Sequence, residues 1–309
     1  MELAVTAARE ILVMVLIALA GFVIYKKGII NEKGSKVLTT LLLTVVNPMM
    51  IIDAYQVEID SRLMNNFLIS AGLAIISHLV GIVISFAAVR KVKANYEIER
   101  LSVVYSNCGF IGIPLINGIF GSEGVLYLTA YLTVFNICLW THGILQVVAG
   151  SDIKTMLKNL ISPAIVCCVI GIVLFIFKIK LPSPVAKAVE QIGSMNSPLA
   201  MIIAGTTIAG ANLKSALTNF RAYYIIFLRH IAVPIVCILI FVPFGFEEIV
   251  SVTAVIEAAC PIAASGTMFA INYNKDAHYA SEIFAISTLL SVVSLPLIIL
   301  FAEYMIARF

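Results

Sequence analysis

The sequence predicts an all-α integral membrane protein of ten transmembrane helices, built as two inverted five-helix repeats, with broken fourth and ninth helices that cross. Composition is the first observation: 61% of the 309 residues are hydrophobic and 12% are charged, with a mean hydropathy of +1.06. Too little polar surface remains to cover a water-soluble globule. A membrane-spanning helix needs about 20 apolar residues. Ten such segments follow one another: 8–25, 37–55, 66–89, 97–120, 123–149, 160–178, 185–210, 220–243, 248–272 and 279–306.

Internal repetition is the second observation. At offsets of 150 and 152 residues, the shared landmarks are Gly21 with Gly171, Pro48 with Pro198, His78 with His230, and Tyr127 with Tyr279. Each half then contains five helices, and an odd number of helices inverts the second half relative to the first. We therefore expect residues 1–150 to form the first repeat and residues 151–309 the second.

The third observation is a pair of interrupted segments at matching places in the two halves. Pro114 and Pro261 each remove a backbone donor inside an apolar segment, and Gly109, Gly112 and Gly266 add backbone freedom nearby. A proline kink is the simpler explanation for either segment alone. Recurrence in both halves favours two true breaks, which are the sequence feature that best marks a transporter's binding site. The half-helix amino termini would carry partial positive charge, which suits an anion.

Basic residues predict the orientation of the chain in the membrane. The loops after the first, third, fifth, seventh and ninth segments contain 4, 4, 2, 2 and 1 Lys or Arg, and the opposite side contains six. The positive-inside rule therefore makes the first set cytoplasmic and puts both termini outside. We expect a multi-pass protein of the plasma or inner cell membrane. The net charge of +3 follows from this bias and does not indicate a nucleic-acid partner.

One motif resembles a known family. Residues 107–115, NCGFIGIPL, are similar to the N-x-G-F-x-G-x-P-L signature of the auxin efflux carrier family, whose bacterial members are often small permeases. Residues 258–263, Asn47-Pro48 and residues 136–141 also resemble segments of this family. The resemblance covers the whole chain. It implies a ten-helix fold related to the bile acid/sodium symporters, with a scaffold of helices 1, 2, 6 and 7 and a transport unit of helices 3–5 and 8–10. The long cytoplasmic loop of plant members is absent, which argues against plant-style regulation and against auxin itself.

The candidate substrate-binding residues lie at the two breaks and on helices expected to face them: Asn107, Cys108, Gly109, Pro114, Cys260, Pro261, Ala263, Asn47, Asn136 and Thr288. The asparagines and the threonine have an alternative role as helix caps or interhelical hydrogen bonders. Ionisable residues inside a membrane are costly and therefore suggest function. Glu257, His230 and His78 are the candidates for ion coupling, with a buried ion pair or structural hydrogen bonds as the alternatives.

These features predict a secondary transporter that moves a small organic anion, most plausibly a carboxylate, by alternating access at the crossing of helices 4 and 9. A channel or a transporter-derived sensor on the same fold is the alternative. The sequence has no phosphate-binding loop, zinc motif, nucleophile elbow or disulfide pattern, so we expect neither an enzyme nor a bound metal or cofactor. The coupling ion, if there is one, is a proton or sodium. The expected partners are the organic anion, the lipid bilayer and a second copy of the chain.

Overall fold

The computed structural model describes residues 2–56, 60–91, 94–147, 163–210 and 217–308. The expected boundary between the repeats, at residues 150 and 151, lies outside these ranges. Within them every regular element is a helix, and the principal ones are α1 (Glu2–Lys26), α2 (Glu32–Ala54), α3 (Ser61–Ala88), α4 (Tyr96–Val104), α5 (Cys108–Val147), α6 (Pro163–Ile176), α7 (Ser183–Gly210), α8 (Phe220–Phe244), α9 (Glu248–Ala259), α10 (Ser265–Asn272) and α11 (Ala277–Ile306).

Length and composition identify the helices that can cross a membrane. In the described part of the chain, seven meet both requirements: α1, α2, α3, α5, α7, α8 and α11. Helix α6 is apolar but shorter. The all-helical class and the membrane location predicted from composition are therefore confirmed. Leucine, isoleucine, valine and phenylalanine side chains are exposed along α1, α3, α6 and α11, as expected where lipid surrounds the protein.

Helix α5 contains a sharp bend at Gly121, where the backbone takes φ 60° and ψ −150°. Residues with a Cβ rarely adopt this backbone conformation, so glycine permits the chain to turn there. The bend divides α5 into a part that begins at Cys108 and a longer part that ends at Val147. The predicted segment 97–120 thus corresponds to α4 and the first part of α5, and the predicted segment 248–272 corresponds to α9 and α10.

Close backbone contact joins α1 to α7. A Cβ added to Gly21 would lie 2.3 Å from the Ile202 carbonyl oxygen, and one added to Gly205 would lie 1.9 Å from the Ala18 carbonyl oxygen. Glycine at both positions therefore allows the two helices to touch, which is a common packing mode in membranes because lipid offers no hydrophobic drive for association. A matching contact joins α6 to the end of α2, where Gly171 packs against the Tyr55 ring.

Helix α9 lies at the centre of a second group of helices, formed with α3, α5, α8 and α11. All ten residues from 250 to 259 are buried, and the helix contacts α3, α5, α8 and α11. Helix α8 passes beside it with a π-helical turn, Leu228–Ala232, just before Pro234. Proline lacks a backbone donor, so a wider turn at this point keeps the surrounding backbone helical. This turn carries Arg229 and His230 to the ends of α4 and α9.

Candidate functional site

Two extended backbone segments, which we call links, cross in the middle of the group of helices around α9. One joins α4 to α5 at residues 105–107, and the other joins α9 to α10 at residues 260–264. They pair as antiparallel backbone at Ser106 and Ile262. The Asn107 N–H donates to the Pro261 carbonyl oxygen at 2.6 Å, and the Ala263 N–H donates to the Tyr105 carbonyl oxygen at 3.0 Å. Because irregular backbone at membrane depth needs internal partners, each link supplies the hydrogen bonds that the other lacks.

The guanidinium of Arg229 fastens the two links from one side. Its side chain is almost fully buried, with 1% exposed. It donates to the carbonyl oxygens of Val103 and Val104 at 3.0 Å, Cys260 at 3.2 Å, and Ala258. These carbonyls end α4 and α9, where unsatisfied oxygens carry partial negative charge. One arginine therefore satisfies the carboxyl ends of both half-helices.

Glu257 lies at the same crossing, one turn before Cys260. It is fully buried, and both of its carboxyl oxygens lack a hydrogen-bond donor among the described residues. The Cys108 thiol is a neighbour of the carboxyl, while the Arg229 donors are directed at backbone carbonyls. A Cβ added to Gly112 would lie 2.2 Å from Oε1 of Glu257. Glycine at position 112 therefore makes room for the carboxyl against α5.

His230 holds the second link through a serine. The Ile262 N–H donates to Oγ of Ser287 at 2.8 Å, and Oγ lies 2.7 Å from Nε2 of His230. The other ring nitrogen, Nδ1, lies 2.7 Å from Oγ of Ser294. All groups are satisfied if Ser287 donates to Nε2 and Nδ1 carries the proton. In this arrangement the neutral histidine positions the crossing by way of α11.

His78 occupies a different environment. Its Nδ1 lies 2.7 Å from the Ala74 carbonyl oxygen one turn earlier in α3, so that nitrogen carries the proton and donates. The rings of Tyr131, Phe135 and Tyr105 surround it at centroid distances of 5.4, 5.9 and 6.1 Å. His78 thus bonds within α3, whereas His230 of α8 bonds Ser287, which accepts a hydrogen bond from the second link.

The predicted break residues come together at the crossing. Asn107 is 5% exposed, and Cys108 and Cys260 are completely buried. A Cβ added to Gly109 would meet no described atom within 4 Å apart from its chain neighbours and the backbone of its own helix, and the same is true of Gly266. Gly109 lies in the first turn of α5, and Gly266 in the first turn of α10. Open space therefore adjoins the amino-terminal turn of each second half-helix.

The remaining predicted residues have local partners. Asn47 accepts a hydrogen bond from the Asn196 amide, which joins α2 to α7. The Asn136 amide donates to the Leu132 carbonyl oxygen at 2.8 Å, and the Thr288 hydroxyl donates to the Phe284 carbonyl oxygen at 2.9 Å within its own helix. The structure therefore brings Asn107, Cys108, Cys260, Pro261 and Ala263 together, whereas Asn47, Asn136 and Thr288 lie on surrounding helices.

Two cavities lie among the helices of the described part of the chain. The first, of about 250 Å³, is enclosed by α1, α7 and α11 and reaches Ile111 in the first turn of α5. Its lining is apolar apart from groups such as Thr288 and Ser291. The second, of about 180 Å³, lies between α2, α5 and α7, with Pro114 in its wall and both polar and apolar side chains around it. Both cavities separate α5 or α11 from the helices that pack at Gly21 and Gly205.

The sequence-based candidates do not include four residues that shape this site: Arg229, Gly112, Ser287 and Asn196. Arg229 carries a usable signal, because a charged side chain inside an apolar segment is costly and is retained for a reason. Gly112 lies within the break motif, but its role as a seat for Glu257 depends on tertiary packing. Ser287 and Asn196 have no comparable signal, since small polar residues are frequent in membrane helices.

Comparison with known proteins agrees with the membrane location. The sequence profile of a family described as "Membrane transport protein" matches residues 6–151 and 146–299. An uncharacterised transporter of Methanothermobacter thermautotrophicus is 25% identical over 297 residues, which cover 94% of this chain and 97% of the relative. An uncharacterised transporter of Methanocaldococcus jannaschii is 23% identical over 218 residues, or 66% of this chain and 70% of the relative. The chain is therefore a multi-pass member of the membrane transport protein family, the family of auxin efflux carrier-like proteins.

Proposed function

We propose that this protein is a secondary carrier that moves a small organic anion of the carboxylate class by alternating access around the crossing of the two links. The observation that carries this proposal is the pairing of Asn107 with Pro261, which brings two interrupted membrane segments together. The first turns of α5 and α10 follow these links, and space adjoins Gly109 and Gly266. Partial positive charge at two helix amino termini suits a carboxylate.

The charges at the crossing support an anion site beside the first turns of α5 and α10. Arg229 satisfies the negative ends of α4 and α9, so the positive ends of α5 and α10 are not offset by them. The Asn107 side chain, next to the open space at Gly109, offers an amide donor for a carboxylate oxygen. In this proposal Cys108, Cys260 and Ala263 contribute small side chains to the wall of the site, and Pro261 maintains the break between α9 and α10. Pro114 lies within α5, just after the π-helical turn Cys108–Gly112, and lines the site from there. In this proposal polar groups from the surrounding helices also contribute to substrate binding, namely Asn47, Asn136 and Thr288.

Two similar Arg–Glu–Tyr triads support the ten-helix inverted repeat that we propose for the fold through their arginine and tyrosine positions, whereas their glutamates are not equivalent: Glu123 lies in α5 with Tyr127, and Glu99 lies in α4. An arginine at the second position of a long helix pairs with a glutamate, and a tyrosine hydroxyl donates to the same glutamate. The two triads are Arg62, Glu123 and Tyr127, and Arg221, Glu99 and Tyr279. The arginines begin α3 and α8, the third helix of each proposed half. Tyr127 and Tyr279 are the residues that the sequence repeat aligns.

The proposed repeat gives the proposed mechanism its two moving parts. Helices α1, α2, α6 and α7 make the close contacts at Gly21, Gly205 and Gly171, which suits a rigid scaffold. The remaining helices share α9 as their centre, which suits a transport unit. The two cavities lie along the boundary between these groups. Rocking of the transport unit against the scaffold would open the crossing to each side in turn. The protein would act in the plasma or inner cell membrane with both termini outside.

Glu257 is the group that we propose for ion coupling. A buried carboxylate without a partner is costly, so the site is stabilised by a proton or by a cation when the crossing is closed. Gly112 lies against this carboxyl, so a change in its charge or position would act directly on the first turn of α5. His230 and His78 have other hydrogen-bond partners, and we propose a positioning role for both.

A substrate screen and two variants test the proposal. Purified protein is screened by thermal shift against monocarboxylates, dicarboxylates and indole acids, at two pH values and with or without sodium. Uptake of the stabilising anion into proteoliposomes is then measured for Asn107→Ala and Pro261→Ala. We expect both variants to lose most uptake at unchanged protein levels. Asn95→Ala and Pro182→Ala, outside the crossing, are matched controls that should retain it. Normal uptake kinetics in both crossing variants would overturn the site assignment.

A further inference from the structure

The cavity between α2, α5 and α7 has a mixed wall, in which polar side chains stand beside apolar ones. Its volume is about 180 Å³. The lining residues with oxygen-bearing side chains are Asp53, Asn117, Ser122, Glu190, Ser194, Asn196 and Ser197, and no lysine or arginine lines it in the part of the chain that the structure describes. A volume of this size holds a small cation with several water molecules, each of which occupies about 30 Å³. The lining therefore differs from that of the apolar cavity at Ile111.

Two carboxylates face this cavity from neighbouring helices. Asp53, near the end of α2, is partly buried, and Glu190 of α7 is exposed. Lys187 approaches Glu190 at 3.0 Å, but both side chains are more than half exposed, so this pair is screened by water. Like charges at a shared site repel each other. With one carboxylate partly balanced by Lys187, about one negative charge has no counter-ion among the described residues.

Asn196 provides an independent sign of a ligand at the cavity. Only 2% of its surface is exposed. Its amide nitrogen donates to Asn47, while its side-chain oxygen has no donor among the described residues. Buried polar atoms nearly always have a partner, and leaving one unpaired is costly. A cation or an ammonium N–H in the cavity would supply the missing partner.

We propose that this cavity binds a small monovalent cation, either a free alkali ion or the primary ammonium group of the transported substrate. The inference rests on the proposed carrier function. Asp53 and Asn196 belong to the proposed scaffold, whereas Pro114 and Asn117 belong to the proposed transport unit. The oxygen set is complete only when the two parts face each other as in this structure. Cation binding therefore favours one state of the transport cycle over the other.

A thermal-shift titration of the purified full-length protein tests the site without requiring transport. The probes are sodium chloride, potassium chloride and methylammonium chloride, compared with choline chloride at equal ionic strength because the quaternary ammonium of choline has no N–H to donate and its methyl groups keep oxygen ligands away from the charge. We expect a saturable stabilisation by at least one small cation and none by choline. In Asp53→Asn the apparent affinity should fall by about tenfold or more, which corresponds to about 1.4 kcal/mol. Asp60→Asn, the same change at the start of α3, should leave it unaltered.

The arms of the experiment separate the two sources of the cation. Stabilisation by sodium or potassium, together with uptake that requires the same ion, identifies a free alkali ion. Stabilisation by methylammonium alone, together with preference for amino-acid-like substrates, identifies a substrate ammonium group. If Asp53→Asn does not fold, Glu190→Gln at the exposed rim takes its place, with an expected loss of affinity of several-fold. Equal stabilisation by choline, or an unchanged affinity in the cavity variant, would overturn the proposal. Saturable uptake that is indifferent to every cation would overturn it while leaving the carrier function intact.

Discussion

Replacing Arg229 tests whether one buried guanidinium holds the two half-helices together. Arg229→Met keeps a long apolar side chain but removes every donor to the carbonyls of Val103, Val104, Ala258 and Cys260. Each buried acceptor left without a donor costs about 1–3 kcal/mol. Relief from burying the charge itself offsets part of this loss. We therefore expect a net destabilisation of about 3–5 kcal/mol, as for other broken buried networks.

The assay is thermal unfolding of the purified variant in detergent, and the control is Arg62→Met. Arg62 also makes two short ion pairs, with Glu123 at 2.8 Å and Glu247 at 2.6 Å, but its side chain is 48% exposed. Exposed pairs contribute about 0–1 kcal/mol each. The apparent Tm should fall by roughly 5–10 °C in Arg229→Met and by only a few degrees in the control. Equal Tm shifts in the two variants would refute the view that Arg229 holds the two half-helices together, because the loss of stability would then reflect arginine removal in general.

Three further changes test the packing of the helices at three places. Gly112→Ala should destabilise the protein by about 1–3 kcal/mol, because its Cβ would lie 2.2 Å from the Glu257 carboxyl. Adding Glu257→Ala to this variant should restore part of the lost stability. Destabilisations that simply add in the double variant would contradict this geometry. Gly205→Val should lower the apparent Tm in unfolding scans by separating α1 from α7, and an unchanged Tm would contradict the contact. Glu99→Gln should weaken the bidentate pair with Arg221 and lower the Tm more than Glu97→Gln, measured in the same scans.

The sequence is informative where a single residue type determines the local structure. Pro261 removes a donor inside an apolar segment and lies in the observed break between α9 and α10. The expectation of a break at Pro114 is wrong in position, because Pro114 follows a π-helical turn inside α5 and the break lies earlier, at residues 105–107. The hydrogen bonds that repair the breaks are not visible, because the partners of Arg229 are backbone carbonyls, which any residue provides. The Asn47 and Asn196 pair also depends on how α2 meets α7. Residue identity marks where the backbone is interrupted, and tertiary packing decides what satisfies it.

The most direct test of the carrier proposal is a counterflow measurement in proteoliposomes. Vesicles loaded with a high concentration of the unlabelled anion are diluted into a trace of the labelled anion. A carrier that alternates access exchanges one for the other, so the labelled anion should rise transiently above its equilibrium level and then fall. Asn107→Ala should abolish the rise, and Asn95→Ala should preserve it. Entry that is linear in concentration, without a transient rise, would contradict alternating access and indicate a channel.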